Sequence, residues 1–93
     1  MDILIYSKPE KVEHKMQDKV NEDCYCFWTT NRPPKIKDIN YVYFSDGEKI
    51  YAQGTFIPND VEGVPEIRFF PLERINKMQP KKPPTRGWCY INK

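Results

Sequence analysis

Two short segments of the chain combine aromatic, amide and basic side chains that could bind a nucleotide. They read Trp-Thr-Thr-Asn-Arg at residues 28–32 and Thr-Arg-Gly-Trp at residues 85–88. Tryptophan rings stack on bases, threonine and asparagine hydrogen-bond base edges, and arginine binds phosphate or stacks in its own right. We therefore predict a nucleotide pocket, with one alternative left open. Both tryptophans can instead be core residues, because a domain this small must bury its largest side chains.

The basic residues are concentrated toward one end of the sequence. The formal net charge is +2, yet the segment 68–93 holds seven basic residues and a single acid, Glu73. Such a concentration can neutralise phosphate groups. A solvated basic loop without a specific partner is an equally common use of this composition, and the sequence leaves both interpretations open.

Familiar catalytic and metal-binding motifs are missing from the sequence. It contains no G-x-S-x-G, Walker, dinucleotide-glycine or H-E-x-x-H motif, and its one histidine, His14, limits acid–base chemistry. The cysteines are odd in number and lack CxxC spacing, so we predict free thiols at Cys24, Cys26 and Cys89. We predict no catalytic residue, no cofactor and no metal site.

Length and hydropathy predict one small cytoplasmic domain that spans residues 1–93. An apolar content of 39% and an aromatic content of 14% suffice for one core. The first apolar run, Ile3–Tyr6, is soon followed by charged residues and is too short for a signal peptide or a membrane span. We expect no membrane association, and free thiols fit a reducing compartment.

Residues 3–21 are predicted to form a strand and then a helix. The run Ile3–Tyr6 is rich in β-branched residues, which suits a buried strand. A capping-box pattern with proline in the first turn begins at Ser7, and apolar residues then recur at helical spacing, at Val12, Met16 and Val20. We predict one helix from Lys8 to Asn21.

The next strand pattern covers residues 24–30. Its aromatic and β-favouring residues predict a central strand that is covered on both faces. Alternation divides its side chains between the two faces, with Cys24, Cys26 and Trp28 on one and Tyr25, Phe27 and Thr29 on the other.

Turn residues separate the remaining strand patterns. Asp46-Gly47, between the runs 41–44 and 49–57, is a strong hairpin signal. Gly54 inside the second run indicates a bulge or sharp bend that curls the sheet. Further strands are predicted over 66–70 and 87–91, and a helical turn over 72–78. Together these elements predict an α+β fold: a small, curled, mainly antiparallel pseudo-barrel of about five or six strands with one N-terminal helix.

Three stretches carry a resemblance to a known superfamily: CFWTTN at residues 26–31, KDINYVYF at 37–44 and IYAQG at 50–54. With the order of the elements, they resemble the PUA-like fold, including its ASCH and EVE branches. This chain has Ile39-Asn40 where those families have Gly-Asp, and it lacks the Gly-x-Lys-x-x-Glu-x-Arg motif of ASCH proteins. The resemblance implies a cleft for RNA or for a flipped or modified base, lined at matching positions by Trp28, Thr29 and Asn31.

Three functional hypotheses follow. The leading one is a non-catalytic module that binds RNA or a modified nucleotide. Trp28 and Trp88 would stack, Thr29 and Asn31 would hydrogen-bond, and phosphate would be held by Arg32, Lys35, Lys81, Lys82 and Arg86. The second is a small interaction or inhibitor protein, of the kind that viruses and mobile elements encode, that binds a host protein through residues 79–86. The third is an amidohydrolase that acts on a modified nucleoside with a lysine, a threonine and a glutamate.

Overall fold

Seven strands make up most of the described chain. The computed structural model describes residues 1–21, 24–30, 32, 34, 38–59, 63–78 and 87–91. The strands are β1 (Asp2–Tyr6), β2 (Cys26–Thr29), β3 (Tyr41–Ser45), β4 (Lys49–Ile57), β5 (Glu66–Phe69), β6 (Glu73–Met78) and β7 (Trp88–Ile91). Two 3₁₀ turns, Pro9–Lys11 and Glu13–Lys15, follow β1.

The strands form one sheet that curls into a half-barrel. Their order is β2-β5-β4-β3-β1-β7, and β6 pairs with β4 beside that path. Every pair is antiparallel except β1 with β3, which run parallel. The curled, mainly antiparallel sheet is therefore present, but the α+β class is wrong because no α-helix occurs within the described residues.

The predicted helix over residues 8–21 is replaced by the two 3₁₀ turns and an extended residue. Met16 has φ −73° and ψ 151°, which is extended backbone, and it forms a parallel bridge to Leu72. The main chain is fixed there by two hydrogen bonds, from Gln17 N to Leu72 O (2.8 Å) and from Leu72 N to Lys15 O (2.9 Å). A pairing with distant residues therefore replaces the local i→i−4 bonds that the sequence pattern predicted. The predicted apolar stripe is still buried at Val12 and Met16.

Two further predictions are corrected by the sheet. Residues 73–78 form strand β6 instead of a helical turn. Strand β2 lies at one end of the sheet order instead of in its centre, and only its inner face is covered instead of both. The predicted alternation along β2 is confirmed, because Cys26 is buried and Trp28 is half-buried while Phe27 and Thr29 are exposed.

The β3–β4 hairpin is confirmed, and Gly54 lies where β4 changes partners. One edge of β4 pairs with β6 up to Gln53 and with β5 from Phe56. A β-carbon on Gly54 would lie 2.8 Å from the carbonyl oxygen of Phe70, in the segment that joins β5 to β6. The register irregularities of β4 lie elsewhere, so this glycine permits a close backbone approach.

The main core fills the concave side of the half-barrel. It is built mainly from alternate residues of the strands and from Val12 and Met16. These two residues belong to the segment 9–18, which contains both 3₁₀ turns and which we call the 3₁₀ segment. A smaller cluster of Leu4, Tyr43, Ile50 and Ile91 lies on the other side, so β1 and β3 are buried on both faces. The hydroxyl of Tyr51 donates a hydrogen bond to Ser7 O (2.8 Å), and burial raises the pKa of this tyrosine.

The 3₁₀ segment is also held from the outside by Arg74 of β6. Its guanidinium donates to Glu13 Oε2 (3.1 Å) and to Asp18 Oδ2 (3.2 Å). These hydrogen bonds lower the pKa of both carboxyls. All three side chains are substantially exposed, so the ion pairs fix the position of the segment more than they add to global stability.

Gly54→Ala is expected to destabilise the fold by about 1–3 kcal/mol, because the added methyl group overpacks against a carbonyl that cannot move without breaking the sheet. The lower chain entropy of alanine in the unfolded state would recover only about 0.4–1 kcal/mol of that loss. Urea unfolding measures the change, with the exposed neighbour Thr55→Ala as control. Equal stability of the Gly54→Ala variant and the wild type would contradict the close approach.

The Arg74 ion pairs predict a pH dependence. Since the folded-state pKa of Glu13 and of Asp18 is lowered, their stabilisation is present above the ordinary values of 4.5 and 3.8 and is lost as the pH falls through the lowered values. The stability difference between wild type and Arg74→Met should therefore vanish in acid and shrink with added salt. Urea unfolding at several pH values tests this, and Lys8→Met, an exposed cation outside the cluster, should show no such dependence.

Candidate functional site

Trp88 lies in the core, which is the alternative that the sequence left open. Its side chain belongs to the main core cluster, and the residue is only 4% exposed. The indole Nε1–H donates to Arg32 O (2.8 Å) and to Thr30 Oγ1 (3.1 Å), and the ring packs edge-on against Tyr90 at 4.8 Å between centroids. In this position Trp88 has a structural role, and its ring has no open face for a base.

Arg32 also contacts Trp88 with its own side chain. Its guanidinium lies 5.1 Å from the centroid of the Trp88 ring, and its Nη2 donates to Trp88 O (3.2 Å). Arg32 and Thr30 follow β2, whereas Trp88 begins β7, and these strands are the two ends of the sheet order. We call this set of contacts the latch, because side chains here join the two ends that no ladder of strand pairing connects.

Trp28 and Thr29 line an open groove beside β2. The groove has a volume of about 270 Å³, and its described lining residues are Lys11, His14, Lys15, Phe27, Trp28 and Thr29. We call it the β2 groove. Lysines and histidine from the 3₁₀ segment form one wall, and β2 forms the other. Trp28 packs edge-on against Phe44 (5.5 Å between centroids), so one side of its ring is fixed in the core.

The outer face of β2 and β5, together with the residues that flank these strands, carries three exposed aromatic rings, and two of them lie next to a cation. Tyr25 is 55% exposed and Phe27 46% exposed. The Lys15 ammonium lies 5.4 Å from the Phe27 ring centroid, and the Arg68 guanidinium lies 5.3 Å from that of Tyr25. Phe70, also 46% exposed, follows at the end of β5. We call this surface the aromatic–basic face, and it adjoins the β2 groove at Phe27.

The free edge of β2 presents main-chain groups to the groove. Thr30 N–H donates to Pro65 O (3.0 Å), toward β5, and Trp28 lies opposite Ile67 in the same ladder. The N–H and C=O groups of successive residues point to opposite edges of a strand. Those of Phe27 and Thr29 therefore point away from β5. Among the described strands β2 pairs only with β5, so no strand ladder uses these groups. The groove therefore offers donors and acceptors as well as charge.

The other predicted site residues are placed as follows. Arg32 is in the latch, apart from the groove that Trp28 and Thr29 line. Asn31, Lys35, Lys81, Lys82 and Arg86 lie outside the described residues. Of the nine predicted residues, Trp28 and Thr29 thus share one open surface. Arg32 and Trp88 form a structural contact instead.

Sequence reasoning missed most of the cations at this surface. Lys11 and Lys15 lie in the segment that the sequence predicts as a helix, whereas its 3₁₀ turns place them across the groove from β2. Tyr25 and Phe27 were predicted to share a face, but the face was expected to be covered. The alternation itself was the available signal, and it would have pointed to these rings if β2 had been predicted as an edge strand.

Metal and thiol chemistry find little support at this surface. Within the part of the chain that the structure describes, no three histidine, cysteine or acidic residues cluster. All three cysteines are free thiols, as predicted. Cys26 is buried, its Sγ–H donates to Lys15 O (3.9 Å), and burial raises its pKa, which makes this thiol a poor nucleophile.

Trp88→Phe is expected to destabilise the fold more than Trp28→Phe does. Both changes shrink an indole to a phenyl ring, but only the first removes two part-buried hydrogen bonds, to Thr30 Oγ1 and to Arg32 O, each worth about 0.5–1.5 kcal/mol. Urea unfolding of the two variants measures the difference. Equal losses of stability would mean that the latch hydrogen bonds contribute nothing.

Comparison with known proteins gives no further assignment. No family model, no curated protein and no solved structure matches the chain. The resemblance to PUA-like proteins therefore stays a prediction. Among the described residues, no helix has the length and apolar character needed to span a bilayer.

Proposed function

We propose that this chain binds RNA or a nucleotide through the β2 groove and the adjoining aromatic–basic face. The leading hypothesis from the sequence, a module that binds RNA or a nucleotide, is kept, but its binding site is assigned to a different surface. Phe27 and Tyr25 take the stacking role that had been given to Trp88. Lys11, Lys15 and Arg68 take the phosphate role among the described residues.

One observation carries the proposal: two exposed rings, Phe27 of β2 and Tyr25 just before it, each have a cation within about 5.5 Å of the ring centroid. An exposed ring offers a π-face to any base, and a neighbouring cation offers a partner for phosphate. A solvated sheet face normally carries polar side chains, so exposed aromatic residues here call for a ligand.

The groove adds charge beside these rings. Lys11, His14 and Lys15 converge on one wall, and no acidic residue is among the described lining residues. An anionic ligand is therefore favoured there. The amidohydrolase hypothesis finds two lysines and Thr29 in this groove but no carboxylate with them. The interaction-protein hypothesis depends on residues 79–86, outside the described part of the chain, and it stays a prediction.

The test is a titration of labelled single-stranded RNA at low salt, followed by fluorescence anisotropy. Binding should weaken with added salt, because counterions are released from neutralised phosphates. Lys15→Ala should lower the slope of that dependence by roughly one. Phe27→Ala should weaken binding by about 1–3 kcal/mol at every salt concentration, because stacking is lost.

Matched controls lie away from this surface. Met78→Ala removes an exposed apolar side chain from β6, and Lys49→Ala removes an exposed cation from β4. Both should bind like the wild type. Absence of binding at low salt, or equal effects of the site and control variants, would overturn the proposed function.

A further inference from the structure

We infer that the ligand of this surface is an unpaired strand with two neighbouring bases held apart, one stacked on Phe27 and the other on Tyr25. This inference rests on the proposed function and narrows it to one class of nucleic acid. It depends on the spacing of the two rings and on the pairing of each ring with its own cation.

The spacing of Tyr25 and Phe27 along the chain excludes two neighbouring bases that remain stacked on each other. Phe27 is the second residue of β2 and Tyr25 comes immediately before this strand; at the spacing of a β-strand, two residues this far apart have attachment points about 6.6 Å apart. Stacked bases in one strand of a duplex rise by about 3.4 Å each. Bases that fit both rings must therefore be separated from each other, and an unpaired strand permits that separation.

A duplex is excluded for a second reason. In a helix the faces of the bases are covered by their neighbours, and only the edges are accessible in the grooves. The exposed rings of Tyr25 and Phe27 offer stacking, which needs an open base face. The surface therefore favours loops, ends and single strands.

Each of the two rings has one cation beside it. Phe27 has Lys15 and Tyr25 has Arg68, so the surface contains two units of one ring and one cation. Each nucleotide of a single strand likewise supplies one base and one phosphate. When a base stacks on the ring, the cation that covers it is displaced toward the phosphate.

The two units are not equal. Arg68 Nε donates to Glu66 Oε1 (2.6 Å), so its charge is partly neutralised, whereas Lys15 borders a groove that holds further cations. The Phe27 unit also adjoins the outward main-chain groups of β2, which can hydrogen-bond a base edge. We therefore assign the stronger phosphate contact and the base preference to the Phe27 unit.

The experiment compares one labelled RNA strand, the same strand annealed to its complement, and a strand with a single abasic position in a short binding site. The single strand should bind roughly tenfold more tightly than the duplex. Phe27→Ala and Tyr25→Ala should each weaken binding of the single strand roughly tenfold, and the double variant should lose both contributions. With Phe27→Ala, an abasic position opposite the missing ring should have no further effect. Met78→Ala is the control.

The outcomes separate this inference from the proposed function. Equal binding of duplex and single strand, with sensitivity to Lys15→Ala but not to Phe27→Ala, would overturn the splayed-base inference and leave nucleic-acid binding in place. Loss of affinity in Phe27→Ala but not in Tyr25→Ala would reduce the site to one base and also overturn it. No binding of any of the three probes would overturn the proposed function itself.

Discussion

The curl of the sheet depends on one close approach, between Gly54 of β4 and the main chain at Phe70. A side chain at Gly54 would separate the two segments, because its β-carbon would already meet the Phe70 carbonyl oxygen. Without a side chain, one edge of β4 can serve two strands, β6 along its first half and β5 along its second. The sheet then bends at the point where β4 changes its partner from β6 to β5. Strand β2 follows this bend because it pairs with β5. The positions of the β2 groove and of the aromatic–basic face follow from that bend.

The bend also decides which tryptophan is structural. Because the sheet curls, the end of β2 reaches the start of β7, and Trp88 fills the junction with its indole N–H satisfied by Thr30 and Arg32. Trp28 is left beside an open groove. The same closure leaves the outer face of β2 in solvent, where Tyr25 and Phe27 each meet a cation. Side chains of one chemical class thus have different environments, buried or open to solvent, which are set by position in the curled sheet.

Local patterns predicted six of the seven described strands, all but β6, because β-branched runs and the Asp46-Gly47 turn act over a few residues. The segment after β1 was predicted as a helix because Val12 and Met16 recur at helical spacing, and burial alone satisfies that pattern. Its conformation is decided by a bridge to Leu72, which is distant in sequence. The candidate site was predictable at Trp28 and Thr29, whose residue types suit nucleotide binding and which line the β2 groove. The cations Lys11 and Lys15 were not, because their place depends on where that segment crosses β2.

The position of β1 has a consequence for the order of folding. Ile3 lies between Val42 of β3, in parallel, and Tyr90 of β7. During synthesis β1 leaves the ribosome long before β7 exists, so its apolar residues wait for a partner strand. Chains dominated by such distant pairings fold in milliseconds to seconds, more slowly than helical proteins of similar size. Until β7 docks, β1 presents an open apolar edge, and this stage is when the chain is most exposed to aggregation and to chaperones.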